Sequence, residues 1–102
     1  MAGNSQLTFH DLCASSISFG ELLDDLLHAR KMTGKEFAQR ISYSPPFVVR
    51  LLRNQLPHWM GLQMIETIAT ELNCDSVEHA QLITAFCCTT LRNKGVLDDK
   101  FR

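Results

Sequence analysis

No apolar run in the chain approaches the roughly 18 residues needed to cross a bilayer. The opening MAGNSQLTFHD has neither the basic nor the apolar stretch of a secretory signal. A cytoplasmic protein with no membrane partner is expected. Cysteine is sparse, at Cys13, Cys74, Cys87 and Cys88, and without an export signal reduced thiols acting as small core residues are expected rather than disulfides. His10 precedes Cys13 at HxxC spacing and His79 lies between Cys74 and the Cys87–Cys88 pair, but neither spacing matches a structural zinc pattern. His10, His28, His58 and His79 form no triad, paired-carboxylate or metal spacing, and so short a domain leaves little room for a deep cleft. Neither catalysis nor a metal or cofactor is expected. Strand alternation, a glycine-rich phosphate loop and internal repeats are also missing.

What remains is a helical chain. Its 102 residues, 45% apolar, suit one domain with a modest core. Ser18-Phe-Gly-Glu21 reads as a capping box, and Leu22, Leu23, Leu26 and Leu27 recur on one helical face, which predicts a first helix over about 19–31. Thr33-Gly-Lys-Glu36 is a second box, opening a short helix with Phe37, Ala38 and Ile41 on its apolar side. Ser42-Tyr43-Ser44 reads as a tight turn, and Val48, Leu51 and Leu52 then give helical spacing up to Asn54, a residue that tolerates the left-handed conformation of helix ends. Leu62, Ile65, Ile68, Ala69 and Leu72 predict a fourth helix ending at Asn73. Asp75-Ser-Val-Glu78 is a third box, opening a helix over 76–92 with Val77, Ala80, Ile83, Thr84, Cys87 and Leu91 along one side. Residues 1–17 read as an arm, with one possible helical turn opening at Thr8, and 93–102 as a charged tail. In the QLPHWMG loop the lone Trp59 is expected to plug a gap between helices. Met32, Met60 and Met64 read as packing residues.

Net charge is −1, yet charge is segregated. Between residues 28 and 63 stand Arg30, Lys31, Lys35, Arg40, Arg50 and Arg53 against Glu36 alone, a local net of +5, between acidic flanks.

Two short helices joined by about three residues cross steeply, as in a helix-turn-helix. The set Phe37, Ala38, Ser42, Val48 and Leu51, with FGELLDDLLHARKMTGKEFAQRI and LQMIETIATELN around it, resembles the lambda-repressor and Cro family of helix-turn-helix domains, also called XRE-like. The resemblance covers residues 19 to about 73. It implies an all-α five-helix bundle whose third helix lies in the DNA major groove. Two positions depart from the family pattern: Ser42 stands where glycine is usual, and Gly34 where a polar residue, often glutamine, is favoured.

The proline pair Pro45–Pro46 fits a helix start, where the first N–H groups have no intrahelical partner. Ser44 and Pro45 serve as cap and first residue, or Pro46 comes first if the start slips by one. On this reading Thr33, Lys35, Arg40, Tyr43, Ser44 and Arg53 are candidates for phosphate, and Arg50 for guanine O6 and N7. Pro45, Pro46 and Phe47 occupy positions where the family reads bases with polar groups. They are limited to apolar contacts such as a thymine methyl, or, with Val49, form a patch for a protein partner. Leu82, Ile83, Phe86, Cys87 and Leu91 spread wider than one stripe, so Ala80, Ile83, Thr84, Cys87 and Leu91 are assigned to a homodimer contact. The expected function is a bacterial or phage-type transcriptional regulator binding double-stranded DNA. The alternatives are an antirepressor or adaptor on the same fold, or the antitoxin of a toxin–antitoxin pair.

Overall fold

The computed structural model describes Cys13 and residues 16–95 of the chain. The possible turn at Thr8, most of the expected arm and the tail beyond Gly95 lie outside the described residues. Among the described residues five helices are bounded and no strand occurs: α1 (Phe19–Ala29), α2 (Gly34–Ile41), α3 (Pro45–Leu52), α4 (Leu62–Glu71) and α5 (Ser76–Asn93).

Side-chain caps set three of the five helix starts. The Ser18 hydroxyl accepts from the Glu21 N–H at 3.3 Å and the Thr33 hydroxyl from the Glu36 N–H at 3.0 Å. Only at α5 does the reciprocal bond of a capping box also form, with Asp75 accepting from the Glu78 N–H at 2.8 Å and Glu78 accepting from the Asp75 N–H at 3.1 Å. At α3, Ser44 is extended with no side-chain cap and Pro45 is the first helical residue. The start does not slip to Pro46, because the Ser44 carbonyl already accepts from the Phe47 N–H at 3.0 Å and the Val48 N–H at 3.4 Å, which makes Ser44 the cap.

Helix ends follow one pattern. Lys31, Ser42, Asn54 and Asn73 all have φ between 53° and 64°, and the next residue's N–H reaches back to Leu27, Ala38, Arg50 and Ala69 respectively at 2.8–2.9 Å. These are Schellman closures, which satisfy carbonyls the last turn leaves free. They stop α1 and α4 at Ala29 and Glu71, short of the expected 31 and 73.

Phe19, Leu23, Phe37, Leu51, Ile65, Ile68, Leu72 and Leu82 form the buried centre. Complete burial contributes about 1.5–3 kcal/mol for each such side chain. Met60 and Met64 are buried and Met32 is packed against this core. The first N–H groups of α1 are satisfied from three directions: Phe19 donates to Thr89 Oγ1 of α5 at 2.9 Å, Gly20 to Asn54 Oδ1 at 2.6 Å, and Glu21 to its own cap. Asn54 in turn accepts at its carbonyl from Asn93 Nδ2 at 2.8 Å. At the opposite end, Arg30 donates to the Leu72 carbonyl at 2.5 Å and to Glu78 at 2.7 Å, tying α1, α4 and α5 together.

One expectation is corrected. Cys13 and Cys88 are disulfide-bonded, their Cα atoms 5.2 Å apart, so only Cys74 and Cys87 are free thiols. The cause is topological: Cys13 lies against α5, where Arg92 also donates to the Cys13 carbonyl at 3.1 Å. On α5, the buried side carries Leu82, Ala85 and Thr89, with Phe86 edge-on to Phe19 at 6.2 Å. The stripe Val77, Ala80, Ile83, Thr84, Cys87 and Leu91 lies beside that buried side, with Ile83 packed against the core. Val77 is 64% exposed, Ala80 is exposed, and the other four are half-buried.

A methyl group added at Gly20 would stand 2.3 Å from the Leu52 carbonyl oxygen. Gly20→Ala is therefore expected to destabilise the fold by about 1–3 kcal/mol, while Ser42→Gly, which removes a left-handed side chain, should stabilise it by about 1 kcal/mol. Urea denaturation of the two variants beside the parent measures both.

Candidate nucleic-acid interface

Helix α2 ends on Ser42 (φ 64°, ψ 39°), and the Tyr43 N–H closes back on Ala38. That left-handed residue turns the chain sharply, Ser44 extends it, and α3 begins one residue later. Ala38 is fully buried beneath Val48 and Leu51 in the same core, so α2 and α3 pack closely. Gly34 faces Val48 Cγ1 across 3.6 Å at the position of an added Cβ, an ordinary contact distance.

The sequence candidates divide by exposure. Thr33, Lys35, Arg40, Tyr43, Ser44, Pro45, Pro46, Arg50 and Arg53 are exposed, and Phe47 is half-buried. The Thr33 oxygen already accepts the Glu36 N–H, which leaves its hydroxyl proton free to donate outward. From residue 37 to residue 65 there is no Asp or Glu, so Arg50 and Arg53 have no acidic neighbour along the chain.

An aromatic cluster stands at the front of α3. Tyr43 stacks on Phe47 with ring centroids 4.4 Å apart, and Trp59 lies nearly parallel to both at 6.1 and 5.9 Å. Trp59 was expected to fill a gap between helices; instead its side chain is 53% exposed. The Met60 N–H bonds to the Pro57 carbonyl in a turn, and it is Met60 that points inward and fills the space. Trp59 and the 56%-exposed Leu62 thus join a surface for which the sequence had named only Tyr43, Pro45, Pro46, Phe47 and Val49. An open groove of about 430 Å³ runs from Ile41 and Tyr43 past Trp59 and Leu62 to Thr67.

Among the described residues, no three His, Cys, Asp or Glu side chains gather into a metal-holding group. His79 Nε2 lies 2.9 Å from the Glu66 carboxylate, and burial pushes the Cys74 thiol above its ordinary value, offset in part by Arg30. No helix of the described residues is long and apolar enough to cross a membrane.

Since Trp59 rests on the surface, Trp59→Ser should change stability by less than about 1 kcal/mol, whereas Phe37→Ala should cost about 3–5 kcal/mol. Thermal denaturation monitored by circular dichroism distinguishes the two.

Among known families, the one described as the Cro/C1-type HTH DNA-binding domain matches residues 21–78. No curated protein and no solved structure gives a significant match.

Proposed function

The chain belongs to the Cro/C1-type HTH DNA-binding family, and from that premise we propose that it is a sequence-specific transcriptional regulator of bacterial or phage type that reads the major groove with α3. The observation that carries this reading is the exposed outer side of α3. It presents Arg50 and Arg53 within a stretch that contains no acidic residue, held at a fixed angle by the buried Ala38, Val48 and Leu51. A planar guanidinium at Arg50 suits the paired acceptors O6 and N7 of guanine. Thr33, Lys35, Arg40, Tyr43, Ser44 and Arg53 surround it as phosphate contacts that set the register on the duplex.

A single unit of this size reads only a few base pairs. Two units related by a dyad reach half-sites about 34 Å apart. The stripe Ala80, Ile83, Thr84, Cys87 and Leu91, with Val77 beside it, supports pairing through α5, because it is an apolar strip left incompletely covered. No cofactor, metal or catalytic step enters this reading, and it places the protein in the cytoplasm.

A second reading draws on the aromatic cluster. An adaptor, antirepressor or antitoxin would use the exposed Tyr43, Pro45, Pro46, Val49 and Trp59, with Phe47 beneath them, to hold a protein partner. Such a protein loses its partner on Phe47→Asp and, if it is an adaptor only, retains no duplex in a binding assay.

Selection of duplexes from a random pool tests the leading reading. Arg50→Ala should weaken specific sites by about 1–3 kcal/mol and relax the preference at one position. Arg53→Ala should weaken all sequences evenly and lower the salt slope by about 1. In light scattering at micromolar concentration the protein should show about twice the 11.6 kDa mass of one chain; a single-chain mass overturns pairing through α5.

A further inference from the structure

The outer side of α3 is unusual for a base-reading surface in having no side-chain hydrogen-bonding group in its first five residues. Pro45, Pro46, Phe47, Val48 and Val49 carry neither donor nor acceptor. Of these, Pro45 and Pro46 are exposed, Val49 is 44% exposed and Phe47 is half-buried, so four of the five contribute to the outer surface. Base edges in the major groove offer donors, acceptors and one apolar group, the C5-methyl of thymine. A helix front of this composition is complementary only to the last.

We propose that the front of α3 reads its site through pyrimidine C5-methyl groups, with Pro45, Pro46 and Val49 as the contacting residues. This rests on the reading of α3 as the helix that enters the major groove. Arg50, the first polar residue of the helix and exposed beside Val49, supplies a neighbouring guanine contact, so the preferred half-site combines thymines with a guanine. Selectivity has two sources. A methyl group buried against proline and valine leaves water, which is favourable. The amino group of cytosine or adenine in the same place loses its water and finds no acceptor, which is unfavourable.

The front is also held still before DNA arrives. Both prolines have their φ locked by the ring, and Phe47 is stacked against Tyr43 at 4.4 Å and near-parallel to Trp59 at 5.9 Å between ring centroids. Tyr43 and Trp59 therefore act as positioning residues. Little side-chain freedom is lost on contact, which favours shape complementarity to a row of methyl groups.

The test uses the duplex recovered from a random pool, resynthesised with deoxyuridine replacing thymidine at one position at a time. Pairing and backbone are unchanged, and only the methyl group is removed. At one or more positions under the front of α3 each substitution should weaken binding about three- to fourfold, the change equivalent to about 0.8 kcal/mol for one buried carbon. Replacing that base pair by cytosine–guanine should weaken binding further, and 5-methylcytosine at that cytosine should recover part of the loss. Val49→Ala and Pro46→Ala, both at exposed positions and checked for an unchanged melting temperature, should bring the thymidine-to-deoxyuridine ratio toward one. An enriched site indifferent to deoxyuridine at every position overturns methyl reading while leaving DNA binding intact. A pool that yields no enriched duplex overturns the reading of α3 on which the proposal rests.

Discussion

The start of α1 meets the end of α3 with no room for a side chain between them. Gly20 lies directly against the Leu52 carbonyl, and the Asn54 side chain accepts the Gly20 N–H at 2.6 Å. Asn54 can do this because its backbone has already entered the left-handed region that closes α3. Its carbonyl, turned the other way, holds Asn93 at the end of α5. One residue thereby stops a helix, caps a second and anchors a third. Without the close approach, Phe19 would not reach the Thr89 hydroxyl, and α3 would have no fixed angle to the rest of the bundle. The orientation of the candidate DNA-reading surface thus depends on a glycine and an asparagine well outside it.

That surface combines two kinds of chemistry. Its cations lie in a stretch of chain without acidic residues and suit a polyanion, while the front of α3 is apolar and braced by aromatic rings. Phosphate contacts hold a protein on DNA without distinguishing sequences, so discrimination falls to the few groups that touch base edges. On the reading proposed above, those groups are one arginine and a run of residues with nothing to donate or accept. The balance differs from a helix lined with glutamine and asparagine, and it accounts for why the proline pair serves both as a sharp helix start and as part of the outer surface.

Much of the fold could be read from the chain because the signals are local. Ser18, Thr33 and Asp75 stand three residues before a glutamate, and each caps the helix that follows. Ser42, Asn54 and Asn73 mark helix ends; Lys31 does the same without being flagged, since lysine carries no special preference for that conformation. The basic segment, and every residue of it assigned a role at DNA, was likewise visible in the linear sequence. Trp59 was misread because a single aromatic residue in a loop gives no indication of its direction.

By itself the sequence determined where helices begin and, to within about two residues, where they end, which residues are apolar at helical spacing and where the cations cluster, since each of these is governed by neighbours within four or five positions. Only the tertiary structure decided that Asn54 caps α1, that Cys13 pairs with Cys88, that α5 buries Leu82, Ala85 and Thr89, and that Trp59 joins Tyr43 and Phe47 on the surface. Each of these joins residues brought together only when the helices pack, or depends on which of two plausible faces the packed neighbours cover. That is set by the shape of the whole core rather than by any short stretch of chain.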